Sequence, residues 1–409
     1  MFILKPLTVR PIALLFSGQL SAAVAGELYR VALIWIAVER AGAAGGYIVA
    51  AHSAVILAVT MVSGVWADQW NARRTIIVVH LVRAAIVVLP TLAFVTGGAI
   101  PTWLFWSVAL GMAALTAFMD PALQTCLPRL APSMAMLPAI NGLVDGARRL
   151  ARVLGPGMVG VLAAFMPVAH FFSLVSLLLL FAAAFTCAVG PVLMEPVPTL
   201  KSGWGRRIGN AMVAGWNATK THRLLRFALP AVFVTTTSWC IAFSLGLVLL
   251  VREFPGADAQ LYGLALASYG VGNVLANIVV GSIDLRRSGL IMYLGRIVLG
   301  VGYIGMALSP SPAWLMASAA FAAIGGPMNE LPVLVRIQSD IPPALMAAVF
   351  RLRMVIDHGG ILFGLLIAPS LMSLLGTAPV VALAGSAAVL VGVVGLWMFG
   401  SELAPEPAY

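Results

Sequence analysis

Apolar runs of about twenty residues repeat along the whole chain, each bounded by charges or by Pro and Gly. Read between that punctuation, they predict helices over 11–38, 45–67, 75–96, 101–123, 138–164 and 168–189. A second set is predicted over 225–251, 261–283, 288–308, 312–335, 343–372 and 377–399. A bilayer-crossing helix needs about 20 mostly apolar residues, and each run meets that length. The expectation is an all-α integral membrane protein with twelve transmembrane helices in two pseudo-symmetric six-helix bundles. The first bundle covers 1–189, a cytoplasmic linker 190–224, and the second bundle 225–409.

The two sets echo each other in their rare polar positions. Arg73-Arg74 and Arg83 recur at one constant offset as Arg286-Arg287 and Arg296. Glu39-Arg40 is answered by Arg252-Glu253, Asp120 by Glu330, Pro132 by Pro342, and Asp145 by Asp357. Internal symmetry of this kind marks transporters whose halves rock about a central site. In the linker, Trp204, Ile208, Met212 and Trp216 recur every four residues with Arg206, Arg207 and Asn210 off the stripe. That pattern suits a cationic amphipathic helix on the inner leaflet, or a plain tether.

Composition agrees with burial in lipid: of 409 residues, 61% are hydrophobic and only 9% charged, with a mean hydropathy of +1.03. The net charge of +10 does not point to nucleic acid, because the basic residues are scattered at helix ends with few interleaved aromatics. They follow membrane sidedness instead. With both termini cytoplasmic, the inner connections hold Lys5, Arg10, Arg73, Arg74, Arg129, Lys201, Arg206, Arg207, Lys220, Arg223, Arg286, Arg287 and Arg336. The outer ones hold Arg40 and Arg252, each beside an acid. Ala23-Val24-Ala25 resembles a signal cleavage site, but apolar sequence continues through Leu33-Ile34-Trp35-Ile36, so the segment reads as a retained helix. The three cysteines, Cys126, Cys187 and Cys240, show no metal-ligand spacing. No cofactor or metal is expected.

The loop after the second helix reads Gly64-Val65-Trp66-Ala67-Asp68-Gln69-Trp70-Asn71-Ala72-Arg73-Arg74. It resembles the signature loop of the major facilitator superfamily: a Gly for close helix approach, an acid four residues on, then a basic cluster. It departs at Gln69 and Ala72, where basic residues are common, and Asn71 is compatible because Asn tolerates left-handed backbone. Asp120-Pro121-Ala122, Leu127-Pro128-Arg129, Asn141-Gly142-Leu143 and Leu150-Ala151-Arg152-Val153-Leu154-Gly155-Pro156 are similar to the exporter branch containing macrolide efflux pumps and the enterobactin exporter. Gly325-Gly326, Gln338 and Pro342 extend the likeness. The resemblance implies the major facilitator fold, proton-coupled antiport of drugs or siderophores, and a latch at the cytoplasmic gate.

Charged groups at mid-bilayer cost about 2.5–3.5 kcal/mol each on the insertion scale, so those in the helices are the functional candidates. Helix one carries Gln19, Glu27 and Arg30 on one face with Ala23, and Glu27 and Arg30 are one turn apart. Burial and the guanidinium act on the carboxyl in opposite senses, so separating the pair would let Glu27 exchange a proton. The competing reading is a permanent ion pair that locks the helix.

Helix five aligns Asn141, Asp145, Arg148 and Arg152, with Arg149 beside them. Arg152, the deepest, is a candidate for an anionic or carbonyl-rich cargo. The others are candidates for a gate with Asp68, Asp120, Glu330, Arg353, Gly64, Arg73 and Arg74. Helix eleven adds Asp357 and His358, with Arg353 one turn before Asp357. His52 and His80 are lone polar groups expected to be satisfied locally. Arg83 and Arg296 sit about 13 Å into their helices and need a partner or a long snorkel. Gly155-Pro156-Gly157 combines close-packing glycines with a helix-distorting Pro.

The expected function is secondary active export of an amphipathic small molecule, exchanged for protons by alternating access in the inner membrane. The expected partners are substrate, protons and membrane lipids, and the chain is expected to act as a monomer. No Gly-x-x-x-x-Gly-Lys-Ser/Thr motif supplies an ATP site. A lysophospholipid flippase or a proton-coupled importer is the alternative. An enzyme or sensor is disfavoured because five His and fourteen acids form no paired motif.

Overall fold

A computed structural model describes residues 7–63, 71–130, 137–190, 213–220, 222–281 and 288–399, apart from some side chains within helices. These residues form helices and turns, with no strand among them. In chain order the long helices are α1 (Arg10–Ala41), α2 (Gly46–Ser63), α3 (Ala72–Val87 continued by Leu89–Gly97), α4 (Thr102–Thr116 continued by Met119–Leu130), α5 (Leu137–Ala163) and α6 (Phe171–Ala188). They are followed by α7 (Arg223–Trp239, a π-helical stretch Cys240–Gly246, then Leu247–Arg252), α8 (Ala259–Gly281), α9 (Ser288–Ala307), α10 (Pro312–Asp340), α11 (Pro343–Leu375) and α12 (Thr377–Phe399).

Local chemistry explains the boundaries. Ser311 caps α10 by accepting from the Trp314 N–H at 3.3 Å, with Pro312 as its first residue. Pro343 opens α11 in the same way. Gly98, at φ +71°, ends α3, and Gly376, at φ +87°, separates α11 from α12. Asn71 serves as the N-cap of α3, its side chain accepting from the Arg74 N–H at 3.1 Å. Its φ of −68° is ordinary extended backbone rather than left-handed. A helix start has unpaired N–H groups, and satisfying one decides the conformation here.

Eight helical stretches among the described residues are long and apolar enough to cross a membrane, the first, Arg10–Val59, running through both α1 and α2. Side-chain size on α12 confirms the solvent. Ala384, Gly385, Ala388, Gly392 and Gly395 face inward, while Leu383, Leu390 and Trp397 face outward, Trp397 being 84% exposed. Large apolar groups outside and small ones inside suit lipid, where close backbone packing replaces the hydrophobic drive between helices. The protein is a multi-pass membrane protein.

Contacts divide the chain into two units: Met1–Ala37 with Ile48–Lys201, and Val38–Tyr47 with Ser202–Tyr409. In the first, α3 lies along α6, and a core at one end gathers Ile12, Leu15, Ile76, Leu123, Cys126, Leu127, Ile140 and Val144. In the second, α9 is clamped between α10 and α12. A Cβ added at Gly302 would strike Ala322, one at Gly325 would strike the Gly295 carbonyl, and Gly300 and Gly385 meet carbonyl to carbonyl.

Candidate functional site

The site in the first unit begins on α1. Gly18 rests against Ala182 and Phe185 of α6, and the Ser21 hydroxyl donates to the Leu178 carbonyl at 2.7 Å, so one side of α1 is fixed to α6. Gln19 is buried, and its Nε2 is unpartnered. One turn beyond Ala23, the Arg30 guanidinium donates to Glu27 Oε2 in an ion pair. The Glu27 side chain is 13% exposed and that of Arg30 54%, so the acid is the enclosed member. What encloses it is α5: Gly155 abuts the Cβ and Cγ of Glu27, and no side chain fits between the helices there. The Gly-Pro-Gly segment and the helix-one acid, separate features in the sequence, therefore meet.

The other α5 candidates are placed in part. Arg148 is half-buried, whereas the side chains of Asp145, Arg149 and Arg152 lie outside the described residues. So do Gly64 and Asp68 of the signature loop, and the side chain of Asp120. Arg73 donates through Nη2 to the Cys187 carbonyl at 2.6 Å and through Nε to the Thr186 carbonyl at 3.3 Å. It thus satisfies the C-terminal carbonyls of α6, the end where a cation is favoured. Arg74 is exposed.

In the second unit, Asp357 accepts from the Thr236 hydroxyl at 2.6 Å. It forms no ion pair with Arg353 among the described residues, although the two are one turn apart, and the Arg353 Nε is buried without a partner. His358 is engaged within its own helix, its Nδ1 lying 2.9 Å from the Met354 carbonyl. Glu330 is exposed on α10. The π-helical stretch of α7 follows Trp239, which donates to the Tyr269 hydroxyl at 3.2 Å, while Phe243 stacks on Tyr269 at 3.8 Å. The sequence carries no periodic signal for that stretch. π-helical turns are frequent at functional sites.

The lone histidines divide. His52 places Nδ1 2.9 Å from the Ala109 carbonyl, as expected of a locally satisfied ring. His80 is fully buried with both nitrogens unpartnered. Arg83, one turn on along α3, is 6% exposed with Nε unpartnered among the described residues, and Tyr29 on α1 is 5% exposed with its hydroxyl likewise unpartnered. The Tyr29 and His52 rings are 5.8 Å apart. Arg296, the counterpart of Arg83, donates through Nη2 to the Ala228 carbonyl at 3.2 Å and lies over the Tyr293 ring at 5.5 Å, while its Nε and Nη1 have no partner among the described residues. Sequence reasoning passed over Tyr29, which sits between Leu28 and Arg30 and reads as one more apolar position.

Known proteins place this geometry. The multidrug efflux pump Tap of Mycobacterium tuberculosis (strain ATCC 25618 / H37Rv) is 30% identical over 162 residues, which are 38% of this chain and 38% of the pump. Among solved structures, the POT family transporter PepTSo has a TM-score of 0.72 at 14% identity, covering 97% of this chain and 98% of its own. The nucleoside transporter NupG has a TM-score of 0.68 at 13% identity, covering 94% of this chain and 100% of its own. At such identities they show the fold alone. Residues 15–356 match the sequence pattern of the Major Facilitator Superfamily. The chain belongs to the Major Facilitator Superfamily.

Proposed function

We propose that this transporter exports an amphipathic small molecule across the inner membrane in exchange for protons, with both termini cytoplasmic, and that Glu27 carries the proton. The observation that supports this reading is the enclosure of Glu27. Its carboxylate has one cation, Arg30, at its exposed side and Gly155 of α5 at its back. A carboxylate so held stays ionised only while the pair is intact, so a cargo or a helix movement that draws Arg30 away favours uptake of a proton. The local likeness to a multidrug efflux pump supports the outward direction. Arg148 and the basic start of α3 serve the cytoplasmic gate.

The test is transport into everted membrane vesicles under an imposed pH gradient, screening drugs, siderophores and lysolipids. Wild type accumulates at least one cargo when the gradient is applied, and Glu27→Gln loses that dependence. Full gradient-driven transport by Glu27→Gln removes the carrier role. Accumulation of lysolipid alone, indifferent to pH, replaces export by lipid flipping.

A further inference from the structure

The buried group that this mechanism leaves unused is Arg83. A guanidinium near mid-bilayer needs an opposite charge or a full set of acceptors. Arg83 has no ion pair among the described residues, and its Nε finds no acceptor. The polar neighbours that face it are also short of acceptors. Among the described residues, the Tyr29 hydroxyl on α1 and both nitrogens of His80, one turn before Arg83 on α3, are buried and unpartnered, and Tyr29 rests near Phe172, one turn from the Ser176 that bonds the carbonyl of Ala84 beside Arg83.

His52 on α2 is engaged by the Ala109 carbonyl. On α1, Glu27 and Arg30 cancel each other. From α6, Phe172 brings an apolar ring, 6.3 Å from that of Tyr29, and the Ser176 hydroxyl is spent on the Ala84 carbonyl. Among the described residues, the surroundings therefore hold a guanidinium with no carboxylate beside it, and a phenol and an imidazole whose polar atoms are unpartnered. A buried arrangement of that kind is complementary to an anion.

The internal repeat sharpens the point. At the offset that relates Arg83 to Arg296, Tyr29 corresponds to Ala242, His52 to Ala265 and His80 to Tyr293. The arginine belongs to the scaffold of both halves, and in the second it uses a backbone carbonyl and an aromatic face. The first half differs in placing a histidine where the second has Tyr293, and in setting Tyr29 where the second has an alanine. We propose that Tyr29, His80 and Arg83 form a buried site for one small monovalent anion, either chloride or the carboxylate end of a small molecule. The near-complete burial of all three limits the occupant to a few atoms.

The experiment melts the purified full-length protein in one detergent, followed by tryptophan fluorescence, at constant ionic strength. The bulk anion is isethionate, replaced stepwise by chloride or by acetate. A saturable rise in Tm is expected with at least one of them. Chloride alone identifies an inorganic anion, and acetate alone identifies a carboxylate. Arg83→Gln should melt cooperatively but lose the response. Tyr29→Phe keeps the charge and the ring, and should weaken the apparent affinity about tenfold through one lost hydrogen bond. Should Arg83→Gln fail to fold, Tyr29→Phe and His80→Phe decide. A Tm indifferent to both anions overturns the site, as does an unchanged response in Tyr29→Phe and His80→Phe.

Discussion

Replacing Gly155 by Ala adds one methyl group to α5 where it meets Glu27. The new Cβ would overlap the Glu27 Cβ outright and lie 3.1 Å from its Cγ and 3.7 Å from its Cα. Carbon atoms at rest sit about 3.5–4.0 Å apart, so α1 and α5 must part by about 1 Å. The Glu27 Cβ is fixed to its backbone and cannot swing aside. Overpacking of this kind costs about 1–3 kcal/mol, against which Ala in place of Gly within a helix returns about 1 kcal/mol. The net effect is a loss of roughly 0–2 kcal/mol.

The decisive comparison repeats the substitution in a Glu27→Gly background, where the obstructing atom is gone. There the helix preference acts alone and Gly155→Ala should stabilise by about 1 kcal/mol. The sign therefore reverses between backgrounds, with a coupling of about 1–3 kcal/mol. Reversible unfolding in mixed micelles, measured on the four proteins of the cycle, gives that coupling. An equal effect of Gly155→Ala in both backgrounds would falsify the contact between the two helices.

Three further outcomes follow from the geometry. Arg73→Ala should lower stability by about 1–2 kcal/mol, because two carbonyls at the end of α6 lose their donor, and Arg73→Lys should recover part of it in the same unfolding assay. Thr236→Val should cost about 1.5–3 kcal/mol by leaving Asp357 without its hydroxyl donor, and the cost should be smaller in an Asp357→Asn background, whereas an equal cost in both backgrounds would mean that the two side chains are not coupled. Gly300→Ala presses a methyl onto the backbone of Gly385 and Val389, which cannot yield locally. It should reduce the yield of folded protein more than Gly26→Ala, where nothing lies within 4 Å, as read by size-exclusion recovery.

The helices were legible because lipid imposes one simple pattern, long apolar runs between charges and Pro or Gly. The run 377–399 coincides with α12, and that at 288–308 differs from α9 by one residue. The reading stopped short at α4, which continues through Met119–Leu130 after a break at Ala117–Phe118. That extension carries Asp120, Gln124, Thr125 and Arg129, so an apolar criterion ends before it. The Glu27–Arg30 pair was legible from spacing along one helix. Its closure by Gly155 was not, since the register of α1 against α5 is a tertiary property of two segments more than a hundred residues apart. His80 and Arg83 stand out in the sequence as polar positions in an apolar helix, but Tyr29 does not, because its surroundings depend on how α1 packs on its neighbours. The loop marks Arg73 as a gate candidate, but nothing in the sequence shows that it also donates to the last carbonyls of α6.

The glycine seams of α9 bear on how such a chain can change over generations. Gly295, Gly300 and Gly302 touch backbone or Cβ atoms of their neighbours and Gly305 the side chain of Ser318, while the equivalent positions of α3 are Val82, Val87, Leu89 and Leu92. Side-chain contacts tolerate exchange of one apolar residue for another, whereas backbone contacts tolerate almost none. At these positions α9 is thus mutationally brittle and α3 permissive. Change would be tried more readily along α3 than along α9, whose seams act as the inherited frame of its own unit.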